Sequence, residues 1–163
     1  MYKLYKMLAN SDINKSGQYL VKKFKPNVCR ISINTSEKLN FQKKLIRIYF
    51  YIITKGDFEI YFVENNREIV HTSYVLGNCF KFRFMKKGDI EIGPCYTNKE
   101  HRGKGIYPEV LRKICSERNN QNTNIYIFVE ENNISSIRGI EKSGFEFVGI
   151  LKKGKLGTYQ KSL

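Results

Sequence analysis

A mixed α/β (α+β) fold, a mostly antiparallel twisted sheet flanked by helices, is the class this sequence predicts. Three observations carry it. Two runs of strand formers around a short polar turn read as a hairpin in mid-chain. A glycine-rich loop then joins a strand to a helix. Another strand, another helix and a closing hairpin follow it.

The first 40 residues are the least determined by pattern, and Tyr2 to Asn10 could form a helix. Phe41, Leu45, Ile48, Tyr49 and Ile52 recur at helical spacing, predicting a helix from Asn40 to Ile53 that Gly56-Asp57 ends. Phe58 to Val63 is rich in strand formers, Glu64 to Arg67 turns the chain, and Glu68 to Leu76 returns. After the turn Lys86 to Asp89, a third strand carries Ile90 and Ile92 on one face and Glu91 on the other. Gly93-Pro94 interrupts it before Cys95-Tyr96-Thr97, which predicts a bulge or a place where ladder hydrogen bonding is lost. Tyr107 to Arg118 reads as a helix with Val110, Leu111, Ile114 and Cys115 as its apolar stripe, and Pro108 is tolerated in its first turn. A buried strand, Asn124 to Val129, precedes a helix from Asn133 to Lys142, with Gly144 supplying its left-handed end. Phe145 to Leu151 and Gly157 to Leu163 make the last hairpin, turned near Lys153-Gly154.

At 163 residues the chain suits one domain, expected to span 1–163. Its 41% hydrophobic and 27% charged residues are those of a globular protein. No run approaches the roughly 20 apolar residues of a membrane-spanning helix. The lysine-rich start lacks an apolar centre, so no secretory signal is expected and a cytoplasmic protein is the default. Four cysteines without a Cys-x-x-Cys pair, and only two histidines, give no zinc spacing and predict reduced, metal-free thiols. The net charge of +14 suits an anionic ligand, but lysines outnumber arginines 21 to 8 and are scattered, as on a solvated surface.

The most specific segment is Glu100-His101-Arg102-Gly103-Lys104-Gly105-Ile106-Tyr107. Glycines between a strand and a helix leave backbone N–H groups bare at the positive end of the helix, an arrangement that binds phosphate. A Walker loop is excluded, because Gly-x-x-x-x-Gly-Lys-Ser/Thr does not occur here. A dinucleotide fingerprint fails as well, since its third glycine falls on Pro108. The run resembles motif A of the GNAT acetyltransferase superfamily, with Glu100-x-x-Gly103-x-Gly105 in place of Gln/Arg-x-x-Gly-x-Gly/Ala. Asn133-Ile134-Ser135-Ser136-Ile137, closing with Glu141-Lys142-Ser143-Gly144-Phe145, is similar to the superfamily's later motif. The resemblance covers roughly Asp89 to Leu151, and residues 1 to 55 match nothing nameable.

The resemblance implies an N-acetyltransferase that takes acetyl-CoA as co-substrate, needs no metal, and acts on a small-molecule primary amine. It implies a sheet splayed at the cofactor cleft, with segment 89–151 as the cofactor-binding core. Backbone amides of Arg102, Gly103, Lys104, Gly105, Ile106 and Tyr107 would hold the pyrophosphate. Main-chain groups of Tyr96 and Thr97 would pair with pantetheine, and Asn133, with Ser136 of the same motif, would meet its far end. The other reading of Asn133 is a plain helix N-cap, a position that Asn favours for local reasons. Two positions depart from the pattern: Glu100 puts a negative charge near the phosphates, and the superfamily's frequent general-acid tyrosine aligns with Ile140. His71, whose ordinary pKa near 6.5 suits a base at neutral pH, shares a strand face with Ser73 and is one candidate for the proton; Glu91 is the other, unless it simply faces solvent. Cys95 has no neighbouring histidine to activate it. The string from His71-Thr72-Ser73 through Phe84-Met85 to Ile92–Thr97 looks like relatives that act in surface-polysaccharide synthesis, which implies an amino-sugar acceptor, nucleotide-linked forms included. Two alternatives stand beside the enzyme: a catalytically silent acyl-CoA sensor, suggested by Ile140, and a basic nucleic-acid-binding module, set lower because no RNA-recognition signature occurs. Monomer and homodimer are both open.

Overall fold

Alternation in the mid-chain hairpin sends Phe58, Ile60 and Phe62 to one side of a sheet and Tyr61 and Val63 to the other, and all five are buried. Both faces of this sheet must therefore be covered. A computed structural model describes residues 1–8, 17–33, 41–118 and 123–162 of the chain. Its elements in order are β1 (Tyr2–Leu8), β2 (Val21–Phe24), α1 (Phe41–Ile53), β3 (Phe58–Asn65), β4 (Glu68–Gly77) and β5 (Ile90–Thr97), then α2 (Ile106–Arg118), β6 (Asn124–Glu130), α3 (Ile134–Lys142), β7 (Glu146–Lys153) and β8 (Tyr159–Lys161). The strands form one eight-stranded sheet in the order β2-β3-β4-β5-β6-β1-β7-β8. Neighbours run antiparallel except β5 and β6, which are parallel.

Helices α2 and α3 cover one face. The expected stripe of Val110, Leu111, Ile114 and Cys115 is buried there against Val63, Ile92, Ile125 and Ile127. The other face packs Phe50 of α1 and the 78–89 segment, through Phe82 and Met85, onto Leu4, Ile60, Tyr74, Tyr126 and Tyr159. Phe82 bridges to Tyr159, and the Tyr159 N–H donates to the Lys81 carbonyl at 2.8 Å, so this segment reaches across to the far edge strand.

The N-terminus differs from the expected helix. Tyr2 to Leu8 is a strand inserted between β6 and β7. Its periodicity explains why: Tyr2 and Leu4 pack toward the α1 face, Tyr5 and Met7 toward the α2 face, a repeat of two with both faces buried. The remainder of the Tyr2 to Asn10 expectation lies outside the described residues.

Helix α1 forms where spacing predicts and ends in a left-handed turn at Lys55 and Gly56, with the Gly56 N–H donating to the Tyr51 carbonyl at 2.9 Å. The stripe that announces it is not the face it buries. Phe41 and Ile52 are 75% and 66% exposed, whereas Arg47 is 1% exposed. Arg47 donates to the Tyr74 hydroxyl and the Ile31 carbonyl, and its guanidinium lies over the Tyr74 ring, which makes burial of this cation tolerable.

Leu111 is 0% exposed between sheet and helix. Leu111→Ala is expected to lower the unfolding free energy by about 3 kcal/mol in urea denaturation, and a loss below about 1 kcal/mol would contradict this packing.

Candidate active site

Strand β5 starts the site. Ile90 and Glu91 pair with Ile125 and Tyr126 of β6, and there the parallel pairing stops. On its other edge β5 stays paired with β4 to Thr97, but Gly93 and Pro94 together oppose the single residue Tyr74. This is the bulge that the Gly-Pro pair predicted. An extra residue bends the strand, and proline brings no N–H to a ladder. Beyond it, the β6-facing edge of β5 stays open.

The glycine loop follows at the mouth of this opening. Asn98 anchors its start, its N–H donating to the Val70 carbonyl at 2.9 Å, and a single 3-10 turn spans Lys99–His101. Gly103 and Gly105 have φ of +75° and +81°, a region side chains resist, and a Cβ on either would meet nothing within 4 Å. Glycine therefore serves the turn and leaves the space above it clear. The N–H groups of Gly103, Lys104, Gly105, Ile106 and Tyr107 donate to no backbone acceptor among the described residues. Residues 102–105 are exposed and Ile106 is rooted in the core. Arg102 turns its Nε onto the Thr97 carbonyl at 3.1 Å, and the Tyr19 hydroxyl donates to the Lys104 carbonyl at 3.0 Å. Glu100, the acidic departure, sits exposed on the 3-10 turn.

A cavity of about 350 Å³ occupies the opening, with Glu91, Cys95, Tyr107, Asn133 and Ser136 on its wall and Lys81, Phe82 and Tyr159 at the α1-side end. Asn133 caps α3, its Oδ1 accepting from the Ser136 N–H at 3.2 Å and from the Ser135 hydroxyl at 3.1 Å. The N-cap expectation is met, and the same residue borders the cavity. Glu91 is the larger surprise. A strand residue opposite Ile90 and Ile92 would be expected to face solvent, yet Glu91 is 2% exposed on the face that the 78–89 segment covers. Burial pushes its carboxyl well above the usual carboxylate range, with the Lys81 charge opposing the shift.

His71 stands on the opposite face from Glu91, so the two candidate bases do not meet. It is 1% exposed, with Nδ1 2.7 Å from the Thr97 hydroxyl and Nε2 2.8 Å from the Ser73 hydroxyl. The shared face of His71 and Ser73 is as expected, since they register with Val63 and Tyr61 of β3. The Cys95 thiol lies beside Ser73 and the Tyr107 hydroxyl, so polar groups line the way from Thr97 to the cavity. Burial raises the Cys95 thiol to about 12, which leaves it protonated and a poor nucleophile. Ile140 is fully buried and offers no hydroxyl.

A second cavity, about 610 Å³, lies between α1, the β3–β4 turn and the end of β5. Lys43, Arg47, Arg67, Glu68, His71 and Tyr96 are on its wall, and Pro94 borders both cavities. Sequence reasoning missed this basic wall and the Tyr107 hydroxyl. A tyrosine directly after a glycine loop was the available signal for the second, because a first-turn side chain leans back toward the preceding strand. Among the described residues no group of three His, Cys, Asp or Glu side chains could hold a metal, and no helix is long and apolar enough to cross a membrane.

Burial lowers the His71 pKa from 6.5 to about 4. The unfolded chain thus takes up this proton first as pH falls, so the stabilisation is complete above about pH 6.5 and is lost as pH falls toward about 4. The stability difference between wild type and His71→Gln should change by about 3 kcal/mol across that window in urea titrations, and a pH-independent difference would contradict a neutral buried imidazole.

Residues 34–145 match the family model described as the acetyltransferase (GNAT) family. Among solved structures, the chain is similar to an acetyltransferase of the GNAT family from Colwellia psychrerythraea, with a TM-score of 0.61 at 12% identity. It is also similar to a GCN5-related N-acetyltransferase from Sphaerobacter thermophilus, with a TM-score of 0.59 at 11% identity. About 90% of this chain is covered in both, but only 52% and 48% of the respective structures, so the chain spans about half their length. No curated protein sequence matches it. The mixed sheet with its two-residue parallel contact, its open glycine loop and a model match over most of the chain lead to one assignment: this chain belongs to the GNAT acetyltransferase family.

Proposed function

We propose that this protein transfers an acetyl group from acetyl-CoA to a primary amine by direct attack. The observation that carries the reading is the opening between β5 and β6, which joins five free loop amides to a cavity containing a buried carboxylate. The residues present fit the co-substrate. Amides of Gly103 to Tyr107, at the positive start of α2, suit a diphosphate, with the charges of Arg102 and Lys104 beside them. The open edge of β5 at Tyr96 and Thr97 suits an amide-bearing arm that adds itself as a strand would, and Asn133 and Ser136 border its far side. When bound, acetyl-CoA supplies an activated acyl group, so no protein nucleophile is required.

The chain's own residues then manage protons and charge. An amine arrives as ammonium and must lose a proton before it attacks. Glu91 is the base this reading favours, since it borders the cavity in the opening and burial raises its affinity for a proton. The amine nitrogen bonds to the acetyl carbon as the carbon–sulfur bond breaks; Tyr107, which keeps its proton because of burial, would protonate the departing sulfur and regain a proton from the second one that the nitrogen sheds. His71 acts as a neutral holder of Ser73 and Thr97 in this scheme. The acceptor reading is an amino sugar, including nucleotide-linked forms, because Lys43, Arg47 and Arg67 on the larger cavity suit an acceptor with negative charge. A silent acyl-CoA sensor is the second reading, favoured by Ile140 in place of a hydroxyl.

Acetyl-CoA titrated into the protein should release binding heat and raise its melting temperature, and no response at sub-millimolar concentration would end both readings. Gly105→Val should abolish that binding, because a side chain enters the space above the loop at a φ of +81°. Glu91→Gln should lower thiol release with an amino-sugar acceptor by about 100-fold or more while leaving acetyl-CoA affinity nearly unchanged. Unchanged turnover would remove Glu91 as the base, and thiol release absent from wild type across an acceptor panel would favour the sensor.

A further inference from the structure

Lysine 81 occupies an unusual place for a cation. It lies in the 78–89 segment, half-buried, with Nζ 5.4 Å from the ring centre of Phe50, 5.7 Å from those of Phe82 and Tyr159, and 6.0 Å from that of Tyr49. Four rings from three separate parts of the chain thus converge on one ammonium, each within cation–π range. Lys81 also borders the cavity in the β5–β6 opening, together with Glu91, Cys95 and Tyr107. Its carbonyl is pinned by the Tyr159 N–H at 2.8 Å, so the segment that carries it is tied to the sheet. The lysine thus stands on the wall of the same cavity as the buried Glu91 carboxyl.

We infer that Lys81 is a modification site, acetylated by the protein itself from acetyl-CoA bound in the opening. The inference rests on the acetyl-transfer reading above and adds a substrate to it, a lysine of the same chain. The ammonium of Lys81 gives a proton to the Glu91 carboxylate. The freed amine pair forms the nitrogen–carbon bond to the acetyl group, the carbon–sulfur bond breaks, and the second nitrogen proton passes to the sulfur, so that coenzyme A leaves as the thiol. No oxidant or further reactant is needed. Burial lowers the Lys81 pKa, which favours the amine, while the charges of Glu91 and Cys79 oppose that shift and Lys153 adds to it. The product is a neutral amide. It removes the cation from the four rings and leaves Glu91 without its nearest compensating charge, so acetylation alters the base of the site.

Exposed Lys153 and its neighbour Lys152 provide internal controls for uncatalysed acetylation. Wild-type protein is incubated with acetyl-CoA, digested, and the acetyl occupancy of each lysine peptide followed with time. Lys81 should fill at least about tenfold faster than Lys153, because proximity in one cavity replaces a bimolecular encounter. Its rate should not depend on protein concentration. Glu91→Gln should slow Lys81 by about 100-fold without slowing Lys153, and Lys81→Arg should remove the fast site while keeping the wild-type melting temperature. Without acetyl-CoA, competitive labelling by acetic anhydride should give Lys81 a midpoint pH below the ordinary lysine value. Calorimetry on the same sample separates the two failures. If acetyl-CoA binds but Lys81 fills no faster than Lys153, or fills equally fast in Glu91→Gln, the inference falls and the transfer reading stands. If no heat is released, both fall.

Discussion

The site depends on a sheet that is paired along its length and interrupted at one seam. Strands β5 and β6 share two residue pairs, Ile90 with Ile125 and Glu91 with Tyr126, then separate. A buried, unpaired peptide group costs about 1–3 kcal/mol, so a strand edge left open inside a core would be heavily penalised. This chain avoids the penalty in two ways. Pro94 removes one donor, and Tyr96 is 52% exposed, so water reaches the free edge of β5. The same bare edge is what an extended, amide-bearing ligand could complete. Everything else in the site is arranged around that gap: the glycine loop at one end, the aromatic and charged groups of the 78–89 segment at the other.

The two faces of the sheet divide the chemistry. Toward α2, His71, Ser73, Cys95 and Tyr107 form a polar string whose members burial keeps neutral. Toward α1, the buried Glu91 carboxyl shares the cavity with the Lys81 ammonium, which is set among aromatic rings. Neutral hydroxyl, thiol and imidazole groups hold hydrogen-bond geometry without a desolvated charge. A buried carboxyl whose affinity for a proton is raised, with a cation nearby, is by contrast suited to accepting one. The basic surface of the chain, at a formal net charge of +14, adds a field that attracts anionic ligands to either entrance.

Much of this was legible in the residues alone. The glycine loop could be read because positive φ and bare amides need glycine, and Gly103 and Gly105 meet both needs. Gly93-Pro94 declared the bulge, and the stripe of α2 its buried face. The N-terminal strand escaped because a strand buried on both faces shows no polar alternation, only a short run such as Tyr2 to Met7, and its partners β6 and β7 lie more than 100 residues away in sequence. The burial of Glu91 escaped for a related reason: what covers it is a segment of irregular backbone, which no periodicity announces. On α1, Arg47 won the buried face because Tyr74 and the Ile31 carbonyl await it, and those partners are invisible to a local pattern.

Amide hydrogen exchange tests the central claim most directly, since it reads the backbone groups themselves. On addition of acetyl-CoA, the amides of Gly103 to Tyr107 and of β5 beyond Pro94 should exchange more slowly, while those of the β3–β4 ladder stay as they were. Exchange at the loop and at the β5 edge that is indifferent to saturating acetyl-CoA would contradict the account.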